Sequence, residues 1–198
     1  YFFAKREVLF TYEGRRVHNP QPDIKPFVLF GLRRCDLTAI KHQDNVFLDE
    51  HEDPFYKARR QASTLIGLHC AQGDEYCFCN SVQLQEHHDL MFYDKEDTYA
   101  VEVRSEKGAA FVKEHQDFFK PHQNLISEED KQIKNNFHLE HTHIKDIFTH
   151  KGWEELSTTC VSCGACNFLC PNCHCFTIQD ESNLDLRSGQ RIRVPASC

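Results

Sequence analysis

Short apolar runs alternate with amphipathic stretches through the first half of the chain. Phe27–Phe30 and Thr64–Leu68 have the length and apolar character of buried strands. Between them, Asp36 and Asp53 stand where they can cap helices, and Pro54 suits a first helical turn. The order of strand, two helices and strand predicts a βαβ unit with parallel strands.

A hairpin and two further helices are predicted after this unit. Asp89–Tyr93 and Tyr99–Arg104 flank a polar turn, a pattern typical of paired antiparallel strands. Helices are predicted over Gly108–Phe119 and after the sequence Ser127–Asp130, which resembles a capping box. We therefore expect an α/β domain with a mixed sheet over residues 1–120. A polar, histidine-rich bridge follows over 121–152, in which we expect solvated side chains at His138, His141 and His143.

The composition excludes several classes of protein and leaves one question. The chain has 198 residues, 27% of them charged, a net charge of −7 and 11 cysteines. The negative charge argues against a nucleic-acid surface, and no apolar run is long enough to span a membrane. A chain of this size has no need of a disulfide framework, and an odd cysteine count fits one poorly. We therefore expect a cytoplasmic protein whose thiols bind metal, and the absent initial methionine suggests a piece of a longer chain.

Six cysteines fall within 16 residues near the end of the chain. Residues 160–171 have the pattern C-x₂-C-x₂-C-x₃-C-P, which is the ligand spacing of bacterial 4Fe–4S ferredoxins. Short spacers let successive backbone turns wrap thiolates around one compact cluster, and Gly164 permits a tight turn between them. The predicted ligands are Cys160, Cys163, Cys166 and Cys170. We expect residues 153–198 to form a small ferredoxin-like, mostly helical domain.

Alternatives to this iron–sulfur interpretation are less consistent with the spacing. A zinc site usually has two C-x₂-C pairs separated by a longer loop than this segment provides. No second ferredoxin motif occurs, although in two-cluster ferredoxins the fourth cysteine ligates the other cluster. We therefore expect the domain to continue past Cys198, and the roles of Cys173, Cys175 and Cys198 stay open.

Four more cysteines lie in the α/β half, at Cys35, Cys70, Cys77 and Cys79. The first two follow the two predicted parallel strands, and the carboxyl ends of such strands meet at one edge of a sheet. The C-x-C pair lies in the loop after Cys70 and can fold back on it. The four thiols suit a second 4Fe–4S cluster or a zinc site, with buried structural cysteines as the alternative.

Several ordered motifs resemble one protein family. They are Phe30–Ile40, Asp53–Arg60, Gly67–Cys70, Cys77–Cys79 and Cys170–Phe176. Together they resemble the iron–sulfur subunits of sulfhydrogenases, in which this is the beta subunit, and of anaerobic sulfite reductases. The resemblance implies an electron-transfer subunit with a dicluster ferredoxin domain. It also implies that the four N-terminal cysteines hold a further cluster, within a complex whose other subunits bear flavin, nickel–iron or sirohaem.

These observations predict an electron-relay subunit of a multisubunit anaerobic oxidoreductase that is not catalytic alone. The clusters would carry the electrons, and the protein would set their potential and distance. The rival hypothesis is a zinc-bound structural or assembly module without redox activity. A third is thiol or polysulfide chemistry at the N-terminal cysteines themselves. No glycine-rich nucleotide-binding motif occurs in the chain.

Overall fold

The computed structural model describes residues 2–122, 125–140 and 143–196, which form two four-stranded sheets and six α-helices. The strands are β1 Glu7–Glu13, β2 Arg16–His18, β3 Phe27–Leu32, β4 Ser63–Leu68, β5 Leu90–Asp94, β6 Tyr99–Val103, β7 Phe176–Ser182 and β8 Ser188–Pro195. The helices are α1 Arg34–Phe47, α2 Pro54–Ala62, α3 Glu106–Glu114, α4 Ile144–Ile147, α5 Gly152–Ser157 and α6 Ala165–Leu169. No helix in these ranges is both long and apolar enough to cross a membrane.

The central sheet has the strand order β3-β4-β5-β6 and confirms the predicted βαβ unit. Strands β3 and β4 are parallel, with Leu29 opposite Leu65, and β5 continues the parallel arrangement. Strand β6 is antiparallel to β5, as the hairpin prediction required. Leu37 of α1 and Tyr56 of α2 are fully buried, so both helices pack their apolar sides into one core against this sheet.

The helix ends differ from the predictions in instructive ways. Helix α1 begins at Arg34, two residues before Asp36, whose carboxylate accepts a hydrogen bond from the Arg33 backbone as part of a capping box. Helix α2 begins as expected, with Asp53 accepting from the backbone N–H of Tyr56 and proline in the first turn. Helix α3 starts earlier than predicted, at the Ser105 cap, and ends five residues before Phe119.

The prediction of a helix after Ser127 is wrong. The Ser127 and Asp130 side chains do form the capping hydrogen bonds, but the chain makes only a single turn there. A capping box satisfies the first backbone N–H groups of a helix without supplying an apolar face that packs. Since helical stability in proteins comes mostly from such packing, the turn does not propagate.

The second sheet joins the two ends of the chain. Its strand order is β2-β1-β8-β7, entirely antiparallel, and Glu7 of β1 pairs with Arg193 of β8. The expected mostly helical C-terminal domain is therefore corrected: it holds two short helices followed by the long β7–β8 hairpin. The alternation of β8, with Ile192 buried and Gln190 between polar neighbours, is a strand pattern that the cysteine motif overshadowed.

A buried ion-pair network fastens this sheet to the central domain. The Arg193 guanidinium binds the carboxylates of Glu7 on β1 and Asp53 at the cap of α2. Arg59 of α2 binds Glu7 from the other side. The guanidinium of Arg193 also lies 5.3 Å from the ring centroids of Phe3 and Phe176. Each of these charges has a partner of opposite sign, which is what burial of charge requires.

Candidate metal centres

The four N-terminal cysteines converge at the carboxyl edge of the central sheet, as the order of elements predicted. Cys35 lies in the first turn of α1, just after β3, and Cys70 lies two residues past β4. Cys79 begins a short 3-10 turn in the following loop. Repulsion between thiolates raises the pKa of Cys35 through Cys79, and that of Cys79 through Cys70, so these groups face one another.

The electrostatics of these thiols combine burial with neighbouring charge. Burial is the main cause of the raised pKa of Cys35, and Asp36 adds to it. Burial also dominates at Cys79, where the positive charge of Arg34 acts in the opposite direction on the pKa. A hydrogen bond with Asp74 raises the pKa of Cys77. Without a cation, this group of thiols resists ionisation, and a bound metal centre supplies the missing positive charge.

The histidine-rich bridge forms a wall of this site that the sequence did not reveal. Its residue Lys134 exchanges backbone hydrogen bonds with Ala71 and Gly73, of 2.9 and 2.8 Å. The Asn135 side-chain amide donates to the carbonyl of Cys77, and the Ser81 hydroxyl lies 3.1 Å from His138 Nδ1. The loop that carries three of the four thiols is thereby held against residues 132–139. His141 lies outside the described residues.

Gly73 is required by the close approach of the two segments. A Cβ atom there would lie 2.8 Å from the Cβ of Cys77 and 2.9 Å from the Cβ of Asn135. Real Cβ atoms do not approach so closely, so a larger residue would push the cysteine loop away from the bridge. A glycine in a cysteine-bearing loop is the one sequence signal that pointed to this packing.

The spacing of the thiols fits an iron–sulfur cluster better than a zinc ion. Zinc–sulfur bonds of about 2.3 Å place the sulfurs of a tetrahedral site roughly 3.8 Å apart. Over the described ranges, only Glu86, His88 and Glu102 bring three ligand atoms within 4.8 Å of one another, and no three thiols do so. A cubane cluster is a larger object than one ion and holds its thiolates farther apart. The donor set and its spacing therefore fit a cluster.

The ferredoxin motif forms an open loop between α5 and α6. Ser162 and Gly164 have positive φ values of 54° and 72°, so the backbone curls between the first three cysteines. Cys160, Cys163 and Cys166 are exposed, and Cys170 follows the last residue of α6. A hydrogen bond from the Cys173 thiol lowers the pKa of Cys170, which favours the thiolate that binds metal. The curled loop and its four thiols fit a 4Fe–4S cluster.

Helix α1 connects the two groups of cysteines. Its first turn carries Cys35, and two turns later the Gln43 side chain donates a 2.6 Å hydrogen bond to the carbonyl of Pro171, next to Cys170. The ring of Phe47 meets that of His174 at 5.8 Å. A cavity of about 670 Å³ lies between α1 and the motif. Cys170, Cys173 and Cys175 line it, and Cys198 lies outside the described residues.

The four arginines near these elements have separate roles. Arg33 donates to the carbonyls of Leu68 and His69 and so ties α1 to the end of β4. Arg59 and Arg60 bind buried acidic groups in the core and serve the fold. Arg34 is the one of the four whose charge acts on a thiol of the site, that of Cys79.

Comparison with known proteins agrees with this chemistry. Residues 159–198 match the family model for a 4Fe–4S dicluster domain. The chain is 34% identical over 197 residues to the sulfhydrogenase 2 subunit beta of Pyrococcus furiosus, covering 91% of this chain and 57% of that protein. The chain thus spans little more than half the length of that relative. No solved structure matches significantly. Both matches confirm the resemblance inferred from the motifs: this chain is an iron–sulfur protein that binds 4Fe–4S clusters and resembles the sulfhydrogenase beta subunits.

Proposed function

We propose that this chain relays single electrons within a multisubunit anaerobic oxidoreductase of the hydrogenase, sulfur or sulfite reductase type. In this proposal Cys160, Cys163 and Cys166 ligate one 4Fe–4S cluster, and Cys170 ligates the same cluster or a neighbouring one. A further cluster is ligated by Cys35, Cys70, Cys77 and Cys79. Bound clusters supply one-electron redox chemistry, and no side chain of the chain needs to act as an acid or base.

The observation that carries the proposal is the direct connection of the two cysteine groups through α1. Cys35 and Gln43 are eight residues apart, which corresponds to about 12 Å along a helix that rises about 1.5 Å per residue. Gln43 binds the carbonyl of Pro171, the residue after Cys170. Electron tunnelling slows steeply with distance, so one rigid helix that keeps both sites close supports a relay.

The surface around the motif favours docking of another redox subunit. Val161, Phe168 and Leu169 are 83%, 74% and 76% exposed beside the ligand cysteines. Exposed apolar groups gathered in one place are typical of interaction sites. The P. furiosus relative is a subunit by name. We therefore propose partners that bear flavin, nickel–iron or sirohaem, in the cytoplasm, where cysteines remain reduced.

The proposal is tested by metal content and electron paramagnetic resonance (EPR) of anaerobically purified protein. We expect iron and labile sulfide in equal amounts, with dithionite-reduced signals characteristic of 4Fe–4S clusters. Cys79→Ser and Cys160→Ser should each remove a different subset of these signals, because they belong to separate sites. Cys175→Ser serves as the comparison and should keep the iron content unchanged. Stoichiometric zinc without iron or sulfide would instead establish the rival structural role.

A further inference from the structure

A buried histidine outside the cysteine sites has no hydrogen-bond partner among the described residues. His88 lies just before β5, with its side chain 1% exposed, and both ring nitrogens are enclosed and unpaired. Burial lowers its pKa, which leaves the imidazole neutral. A buried polar group normally binds another group, a water or an ion, and an exception of this kind calls for an explanation.

Two carboxylates face this histidine. Glu86 lies two residues earlier, and Glu102 stands on the neighbouring strand β6, with its Oε2 atom 3.4 Å from His88 Nε2. One ligand atom from each of the three residues lies within 4.8 Å of the others. A metal ion with bonds of about 2.0–2.2 Å would draw these atoms together by small side-chain rotations.

We propose that Glu86, His88 and Glu102 bind one divalent first-row transition-metal ion. Imidazole nitrogen with two carboxylate oxygens is a donor set for zinc, manganese or ferrous iron, and it contains no thiolate. The site is therefore chemically distinct from the cysteine sites, and the proposal stands whether or not the chain relays electrons.

Two arginines balance the carboxylates and compete with the ion. Arg34 lies 3.3 Å from Glu86, and Arg104 binds Glu86 and lies 3.9 Å from Glu102. The hydroxyl of Tyr93 also donates to Glu102, at 3.3 Å. The side chain of Arg104 is 46% exposed and can turn into solvent when an ion arrives. Removing its charge should therefore strengthen metal binding, whereas a simple ion-pair network would only be weakened.

Titration with Mn²⁺ tests the site, because manganese has little affinity for thiolates and its free form is counted by EPR. Anaerobic, cluster-loaded protein should bind one ion per chain. His88→Gln and Glu102→Gln should weaken binding at least tenfold, and Arg104→Gln should tighten it. Glu96→Gln, in the exposed turn between β5 and β6, removes a carboxylate elsewhere and should leave binding unchanged.

Several results would overturn the proposal. These are the absence of a saturable site, equal binding after His88→Gln or Glu102→Gln, and weaker binding after Arg104→Gln. Should the buried variants fail to fold, pulsed EPR of the unsubstituted protein decides the matter. Coupling of bound manganese to an imidazole nitrogen supports the site. Manganese bound without nitrogen coupling, as at an adventitious carboxylate site, refutes it.

Discussion

Replacing Arg193 by methionine should loosen the attachment of the C-terminal hairpin to the rest of the protein. Methionine keeps much of the apolar stem that packs near Phe3 and Phe176, but it removes the charge shared by Glu7 and Asp53. Loss of one partner from a buried ion pair costs about 3–5 kcal/mol. Glu7 keeps Arg59 as a partner, so we expect the lower end, about 3 kcal/mol.

For a chain of this size, that loss corresponds to a fall in Tm of roughly 6–12 °C. Thermal unfolding of cluster-loaded protein, followed by circular dichroism under anaerobic conditions, measures it. Arg191→Met is the matched control on the same strand, because Arg191 and its partner Asp180 are both exposed, and it should melt together with the unsubstituted protein. Equal melting of both variants would refute the view that the buried network fastens the sheet.

Two further predictions concern the core. Hydrogen bonds from His87 and Tyr56, with the charge of Arg60, outweigh burial and hold the pKa of Asp44 below its usual value of 3.8. Its ionised form therefore stabilises the fold above that pH, and the stabilisation disappears as the pH falls through the lowered pKa. Urea unfolding should show Asp44→Asn to be less stable at pH 7, by roughly 3 kcal/mol, and the difference should shrink below about pH 4; a constant difference would contradict this. Gly108→Ala should lower Tm although alanine favours helices, because its Cβ would lie 2.3 Å from the carbonyl oxygen of Asp89, at a cost of about 1–3 kcal/mol. A Tm that rises instead would show that α3 can shift freely.

Local pattern predicted the central domain well because its elements are neighbours along the chain. The apolar runs Phe27–Phe30 and Thr64–Leu68 became adjacent parallel strands, and the Asp53–Pro54 pair began a helix. The β1–β8 pairing could not be predicted in the same way. Its strands are more than 170 residues apart, and a buried position of β8 holds the charged Arg193, which local pattern assigns to the surface.

The candidate site divides along the same line. Cysteine spacing and strand order were enough to predict which thiols meet, and the dicluster match covers the C-terminal motif. The contribution of Asn135 was invisible, since a polar residue in a histidine-rich stretch resembles a solvated loop until the tertiary fold places it on Cys77. Likewise His88, next to His87 and Asp89, carried no sequence signal that its ring would be enclosed.

The pairing of the first strand with the last imposes an order on synthesis of the protein. Strand β1 leaves the ribosome early but has one side without its partner until residues 188–195 are made. Contacts so distant in sequence form late, after a large loss of chain entropy. The ferredoxin cysteines lie inside the loop that this pairing closes. Delivery of iron and sulfide before closure would meet an open chain, whereas delivery afterwards would meet a loop already held against α1.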